Sequence, residues 1–521
     1  MFYDFCGKFW RSFAQSPHTN PFPPNKMKRS FYLVLLSFTL ANFAPAQDKQ
    51  FSNVYGPRFS PGIAIDRHQP PRRGLEAIHR WNLIAINATG LDHTPVAPGE
   101  PRIFGEQLGP CRAARAMAII HMAMFDGING AVGDHRCFSG WHNPPGPVSA
   151  DAAIAQGAHD TLVALYPSQV ASFDARLAED LAAISNPVPR ARGVLLGQRV
   201  AAAILAERAN DGAEFPEPLV NTEWMTSNDP GHWRQDPISL IRLALGAHWS
   251  ECRPFFLQSG SQFRLPAPPA MTSPEYTVAF NEAKSLGGDG ITTPTQRTPQ
   301  QTFLGTFWAY DGTPSLCAPP RLYNQILVTI ADQTHLNGLQ LARLLALANV
   351  AMADEGIAAW DSKYHWDFWR PIHGIRESDV GTGPSGLGDG NPNTAGDVTF
   401  MPLGAPASNL TGPNFTPPFP AYPSGHAGFG GALFQVLRRY YGTDRVPFTF
   451  VSDEFNGTTR ANDGTIRPYI PRHFNSFSQA EEENGQSRIY LGIHWAFDKT
   501  GGISQGRQVA DYVFDHALRR R

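Results

Sequence analysis

Three short stretches in the last third of the chain hold residue types able to grip an anion and move protons around it. "KYHWDFWRP", residues 363–371, carries Lys363 and Arg370 with Trp366, Phe368 and Trp369 between them. Cations seven apart lie nearly two helical turns from each other, so one continuous helix would point both to one side. The aromatic company predicts a buried face, and buried cations demand an anion. "AYPSGHAGFGGA", residues 421–432, sets Ser424, Gly425 and His426 at the mouth of a small-residue helix. The unpaired N–H groups and dipole of such a helix start attract an anion. Ser424 adds a hydroxyl donor, Gly425 a close backbone approach, and His426 a group that can act as acid or base. "SRIYLGIHW", residues 487–495, holds Arg488 and His494. Residues six apart do not share a face of a continuous helix. Both reach one site only if the backbone breaks between them, as Gly492 would allow, or if Arg488 precedes the helix. Singly, each stretch has a plainer reading: a pair of surface cations, a serine N-cap, a core histidine. Jointly they supply three cations, two neutral donors and two histidines, a set that matches a tetrahedral oxyanion, phosphate or its analogue vanadate. A serine hydrolase is disfavoured, because Ser424, flanked at two residues by Tyr422 and His426, does not sit in a G-x-S-x-G elbow.

The elements that must position these residues are helical. Apolar residues recur at helical spacing over about 111–130, 149–165, 168–184, 191–210, 321–334 and 337–360. Further helices are expected over 425–441, 476–498 and 504–519. The helix bearing Lys363 and Arg370 should stop at Pro371. Strand patterns are few and short, no repeat recurs at a fixed period, and Gly/Pro-rich stretches such as 381–397 read as loops. The expected fold class is all-α, two four-helix-bundle-like units joined by long ordered loops. No catalytic cluster stands out in the first half. His121 and Asp126 sit in an apolar helix and read as core polar groups with partners.

Length and composition bound the rest. A chain of 521 residues makes one large domain or two to three ordinary ones. Its 43 basic and 45 acidic residues give a net charge of -2, which argues against a nucleic-acid binder and makes any positive site local. Residues 1–46 read as a leader. Within it, 27–46 has the form of a signal peptide: Lys28 and Arg29, an apolar run over 31–40 too short to span a bilayer, and Ala44-Pro45-Ala46 before Gln47. Translation from Met27 and export to the periplasm or medium are therefore expected, with no integral membrane span. An extended arm is expected over 47–75, then one large helical domain over 76–521 with the oxyanion region at 290–500. Cys6 lies before the signal. Cys111, Cys137, Cys252 and Cys317 remain, and both disulfides and buried thiols stay open for them. No CxxC or Cys/His cluster suggests zinc.

The order K-x6-RP, PSGH, SR-x5-H resembles the superfamily that unites vanadium-dependent haloperoxidases with acid phosphatases related to lipid phosphate phosphatases. Over roughly 290–500 the chain is similar to the haloperoxidase branch, through "QRTPQQTFLGTFWAYDGTP" (296–314), "PPRLYNQI" (319–326), "FPAYPSGHAGFGGALFQVLRRYY" (419–441) and "RHFNSFSQAEEENGQSRIYLGIHWAFD" (472–498). The resemblance implies that Lys363, Arg370, Ser424, Gly425 and Arg488 hold the equatorial oxygens of vanadate. It implies that His494 ligates vanadium, that His426 bonds the apical oxygen and moves protons, and that Lys363 polarises bound peroxide. Asp311 would pair with Arg488. Trp360, expected to end the helix before Lys363, would line the halide approach with Phe419; relatives that prefer bromide carry a histidine in place of Phe419. The implied reaction is oxidation of chloride or bromide by hydrogen peroxide to hypohalous acid or an equivalent halogenating species, with an organic substrate where one exists. The alternative is a phosphatase with His494 as nucleophile and His426 as general acid. The link from 425–441 to the last motif is shorter than in the fungal members, so the resemblance does not extend to the shape of the entrance.

Overall fold

Helix starts in this chain are written in local capping chemistry. The computed structural model describes residues 51–61, 77–97, 99–141 and 146–521. The expected signal peptide, Cys6 and most of the 47–75 arm lie outside these residues. Helix α1 (Phe51–Tyr55) and strand β1 (Ser60–Pro61) come first, so the described start of the expected arm is not simply extended. Helix α2 (Ala77–Asp92) follows, in a stretch where the periodicity had suggested none. Helices α3 (Gly109–Val132), α4 (Ala150–Leu165), α5 (Val170–Ala183) and α6 (Pro187–Glu207) lie within a few residues of the expected positions. The side chains of Ser149 and Asn186 accept N–H groups at the starts of α4 and α6. A long loop with short 3-10 turns then leads to α7 (Pro274–Gly287) and α8 (Pro299–Phe307), which begin on Ser273-Pro and Thr298-Pro caps.

Helix α9 (Pro319–Gln333) precedes α10 (Gly338–Trp366), which opens on an Asn337–Gln340 capping box. Helix α10 corrects the expected geometry of the first motif. It stops at Asp367, which takes the left-handed conformation (φ 48) and donates its N–H to the Lys363 carbonyl. Pro371 instead starts a separate helix, α11 (Pro371–Glu377), with Arg370 extended at its N-cap, the conformation that a following proline favours. Lys363 and Arg370 therefore do not share a helix. Trp360 does not end α10 either; it lies one turn before Lys363 on the same helix.

Strand β2 (Leu410–Thr411) pairs antiparallel with β1. Helix α12 (Gly425–Tyr441) has the expected bounds. A hairpin of β3 (Phe448–Asn456) and β4 (Tyr469–Phe474) pairs Phe448 with Phe474 through Val451 with Pro471, then shifts register before Asn456. Helices α13 (Phe477–Tyr490) and α14 (Ala496–His516) replace the expected 476–498 and 504–519, with a break over 491–495.

Helix α10 is buried along nearly its whole length from Leu341 to Lys363, the pattern of a central helix. It meets α3, which packs with α4 and α6, and it meets α12 and α14, which pack with each other and with α13. The two helix groups thus share α10, and the described residues form one compact unit. Small residues let α14 cross α12 at backbone distance: a Cβ at Gly506 would fall 2.1 Å from the Gly428 carbonyl oxygen. No helix among the described residues is long and apolar enough to cross a membrane. Cys111, Cys137, Cys252 and Cys317 are buried free thiols, so the disulfide reading is not realised among them. His121 and Asp126 are partnered. The His121 ring nitrogens lie 2.7 Å from the Met117 carbonyl and 2.9 Å from Asn82 Oδ1, and Asp126 accepts the Phe138 and Ser139 N–H groups.

Candidate oxyanion site

Four chain segments bring the expected residues together. Helix α12 starts on Ser424, whose Oγ accepts the Ala427 N–H and whose own hydroxyl proton stays available to donate. Arg488 lies in the last turn of α13. The chain then turns at Gly492, in the left-handed region (φ 69), where a Cβ would fall 2.5 Å from the Gly287 carbonyl oxygen. His494 follows just before α14. The break at Gly492 is what lets Arg488 and His494 face the same site. Lys363 arrives from α10 and Arg370 from the start of α11.

The hydrogen bonds assign the histidine protons. His494 Nε2 lies 3.3 Å from Arg370 Nη1, a group that can only donate, so Nε2 carries a lone pair. Its Nδ1 therefore holds the proton, which it donates to Asp498 Oδ2 at 2.9 Å. His426 is arranged the other way round. Its Nε2 lies 2.5 Å from the Ala309 carbonyl oxygen, an acceptor only, so Nε2 holds the proton and Nδ1 the lone pair. Burial pulls both pKa values well below the usual histidine range, helped at His426 by the Arg488 charge and at His494 by Arg370. Burial raises the Asp311 carboxyl, opposed by Arg488, whose Nη2 donates to Asp311 Oδ1 at 2.5 Å. Burial likewise pushes Asp498 up to about 7, against the Trp495 N–H that it accepts.

The cations are enclosed yet incompletely paired. Lys363, Arg370 and Arg488 are each 0 % exposed. Arg370 donates Nε to the Phe419 carbonyl and Nη1 to the Ile493 carbonyl, and burial draws its pKa down to about 9. Its Nη2, and Nε and Nη1 of Arg488, find no hydrogen-bond partner among the described residues. Buried charged donors are rarely left so, because the desolvation cost is then uncompensated. Lys363 differs. Burial, then the Arg370 charge, pulls its pKa well below the lysine range, but Nζ donates to the carbonyls of Pro420, Ala421 and Pro423. Three acceptors use all three hydrogens of an ammonium, whereas a neutral amine has only two, so this geometry holds the charged form. Lys363 is thus aimed at the loop that carries Ser424, where the sequence had suggested an oxyanion oxygen.

Phe419 stands beside two of these cations, with Lys363 Nζ and Arg370 Cζ each 5.1 Å from its ring centroid. Trp360 lies 4.9 Å away and gives its indole N–H to the Leu245 carbonyl. A cavity with about 750 Å³ of empty space, counting its open mouth, has Asp311, Gly425, His426, Arg488 and His494 in its wall. Leu243, Leu245, Trp360, Phe415 and Phe419 make other parts of the wall apolar, and Val54 and Tyr55 of α1 also line it. Sequence reasoning had missed Asp498, although its spacing of four from His494 was a readable signal. The Ala309 carbonyl and the α1 wall carried no such signal.

Unpaired guanidinium nitrogens, a helix mouth and two neutral histidines around one cavity define a helical protein built to seat an oxyanion. Residues 343–521 match the family described as the VCPO second helical-bundle domain. Vanadium chloroperoxidase from Curvularia inaequalis is 31% identical over 512 residues, covering 82% of this chain and 80% of that protein. The chain belongs to the vanadium-dependent haloperoxidase family. The fold is also that of solved bacterial structures. One, described as the first bacterial vanadium-dependent iodoperoxidase, superposes with a TM-score of 0.64 at 23% identity, over 84% of this chain and 97% of that one. An apo-type bacterial vanadium-dependent chloroperoxidase gives 0.57 at 17% identity, over 78% and 95%.

Proposed function

We propose that the protein uses vanadate to oxidise halide with hydrogen peroxide: halide, peroxide and one proton give hypohalous acid and water. The observation that carries this reading is the set of buried, unpaired nitrogens on Arg370 and Arg488 beside the lone pair of His494 Nε2. A tetrahedral oxyanion fits that donor set: the orphaned N–H groups would donate to its oxygens, and His494 Nε2 would be its protein ligand. When bound, vanadate supplies a Lewis-acid centre that activates peroxide. The chain's own residues do the rest. Arg370, Arg488, the Ser424 hydroxyl and the Gly425 amide would hold the oxygens, with His494 Nε2 as the protein ligand. His426 Nδ1 takes and returns protons, its ring held by the Ala309 carbonyl. Asp311 fixes the Arg488 fork and tempers the positive charge. Lys363 adds positive potential and, through the carbonyls over 420–423, keeps Ser424 and Gly425 turned to the anion. Trp360 and Phe419 exclude water where halide approaches, so chloride is oxidised as well as bromide and iodide. The halogenating species passes to water or to an organic acceptor.

The test is reconstitution of the purified protein with vanadate, following halogenation of a dye with peroxide and each halide. Halogenation that needs vanadate and falls as phosphate competes is expected. Phosphate-ester hydrolysis without halogenation would replace this reading with the phosphatase. We also propose export. Mass spectrometry of the mature protein should find Gln47 at its N-terminus, and a retained peptide from before Gln47 would contradict cleavage there.

A further inference from the structure

The carbonyl that fixes the His426 proton belongs to Ala309, and the carboxylate that pairs with Arg488 belongs to Asp311. Between them stands Tyr310. It is fully buried and has φ 45, a left-handed backbone that bulky side chains rarely adopt. Such a conformation persists only where the surroundings over-determine it. Here the surroundings are three consecutive residues of β3. Ser452 Oγ donates to the Phe307 carbonyl at 2.6 Å, the Asp453 N–H donates to the Tyr310 phenol oxygen at 2.6 Å, and Glu454 Oε1 accepts the Tyr310 N–H at 3.4 Å. The phenol hydrogen goes on to Gln325 Oε1 of α9 at 2.9 Å. Glu454 is itself fully buried and is held by Ser408 and Arg467. Among the described residues the hairpin contributes no wall to the cavity, yet it grips the segment whose Ala309 and Asp311 touch His426 and Arg488.

We propose that Tyr310 is a positioning residue through which β3 aims the Ala309 carbonyl and the Asp311 carboxylate, and so sets which nitrogen of His426 holds the proton and which edge of Arg488 faces the anion. This rests on the haloperoxidase reading only for the use to which the site is put; the proton position and anion affinity belong to the chain itself. The substitution Tyr310→Phe keeps the ring and removes its oxygen. Gln325→Met leaves Tyr310 in place and removes the acceptor of its hydroxyl.

The experiment takes full-length, vanadate-free protein with 15N-labelled histidine. The His426 resonances, assigned by their loss in His426→Gln, should show a single tautomer protonated at Nε2 in the unaltered protein. Both variants should show a mixture of tautomers and should bind inorganic phosphate about 3-fold more weakly by calorimetry. After loading with vanadate, kcat should fall about 10-fold with the halide KM little changed, at the low end of the 10–100-fold losses seen when outer partners of a site are removed. A single Nε2-protonated signal with unchanged phosphate affinity in the variants would overturn the proposal, even if the melting temperature fell. Should Tyr310→Phe fail to fold, Gln325→Met decides by the same two readouts. Loss of halogenation in the unaltered protein would count against the haloperoxidase reading and leave these two readouts intact.

Discussion

In the helix group around α3, the buried His121, Arg115 and Asp126 are paired off. His121 has both ring nitrogens engaged. Arg115 gives Nε to Asp211 Oδ2 at 2.8 Å and Nη2 to the Arg208 carbonyl at 2.9 Å. Asp126 accepts two backbone N–H groups. The helix group around α12 buries the same residue types and leaves Arg370 Nη2 and two nitrogens of Arg488 without partners among the described residues. An unsatisfied buried donor costs about 1–3 kcal/mol, and more when charged. The first group has spent its polar residues on stability; the second keeps some in reserve for a ligand. Burial of a histidine or arginine therefore says little about role. What separates these residues is whether a buried guanidinium nitrogen is left without an acceptor among the described residues.

That contrast can be broken at several places. The largest effect is expected from His494→Ala, which removes the only protein ligand in the proposed site. Stable vanadium binding should be lost, and equilibrium dialysis showing full vanadium content would refute the assignment. Next comes His426→Ala. The arginines should still hold the anion, while turnover falls ~10²–10⁴-fold as for general acid–base groups; normal turnover would remove His426 from the mechanism. Asp498→Ala takes the acceptor from His494 Nδ1 and should weaken vanadate binding about 10–100-fold, read by the same dialysis.

The first group should answer differently. His121→Leu leaves Asn82 Oδ1 without its partner and should cost about 1–3 kcal/mol of stability, with turnover per bound vanadium unchanged. Burial holds His121 at about 4, below the ~6.5 of an unfolded histidine. Between those values the unfolded chain binds the extra proton, so this group's contribution to stability falls as pH drops from about 6.5 to 4. Denaturant titrations across that window should show a shallower acid slope in His121→Leu than in the parent.

The smallest change sharpens the second region from within. Phe419→His should lower chloride turnover several-fold more than bromide turnover. Equal losses with a lowered melting temperature would reduce Phe419 to packing.

Much of this was legible because its causes are local. Proline, serine and glycine at the mouth of α12 specify a helix start within one turn, so 425–441 could be bounded from the sequence. The need for a chain break between Arg488 and His494 followed from helical periodicity, and Gly492 was the residue able to supply it. Periodicity failed at α2 and at α10, where the helix runs to Trp366 and an αL stop at Asp367 takes over from Pro371. A non-glycine residue at φ 48 leaves no mark in the sequence pattern.

The sequence alone determined the all-helical class, the three motifs in their order and the charge balance that suits an oxyanion. Only the tertiary structure decided which donors are spent and which are kept. Lys363 is spent on three carbonyls of a loop nearly sixty residues away, and His426 is oriented by the carbonyl of Ala309 from more than a hundred residues away. A backbone carbonyl is present at every position, so residue identity cannot say where one will point. Its direction is set by the packing of distant segments, and with it the proton positions on which the chemistry depends.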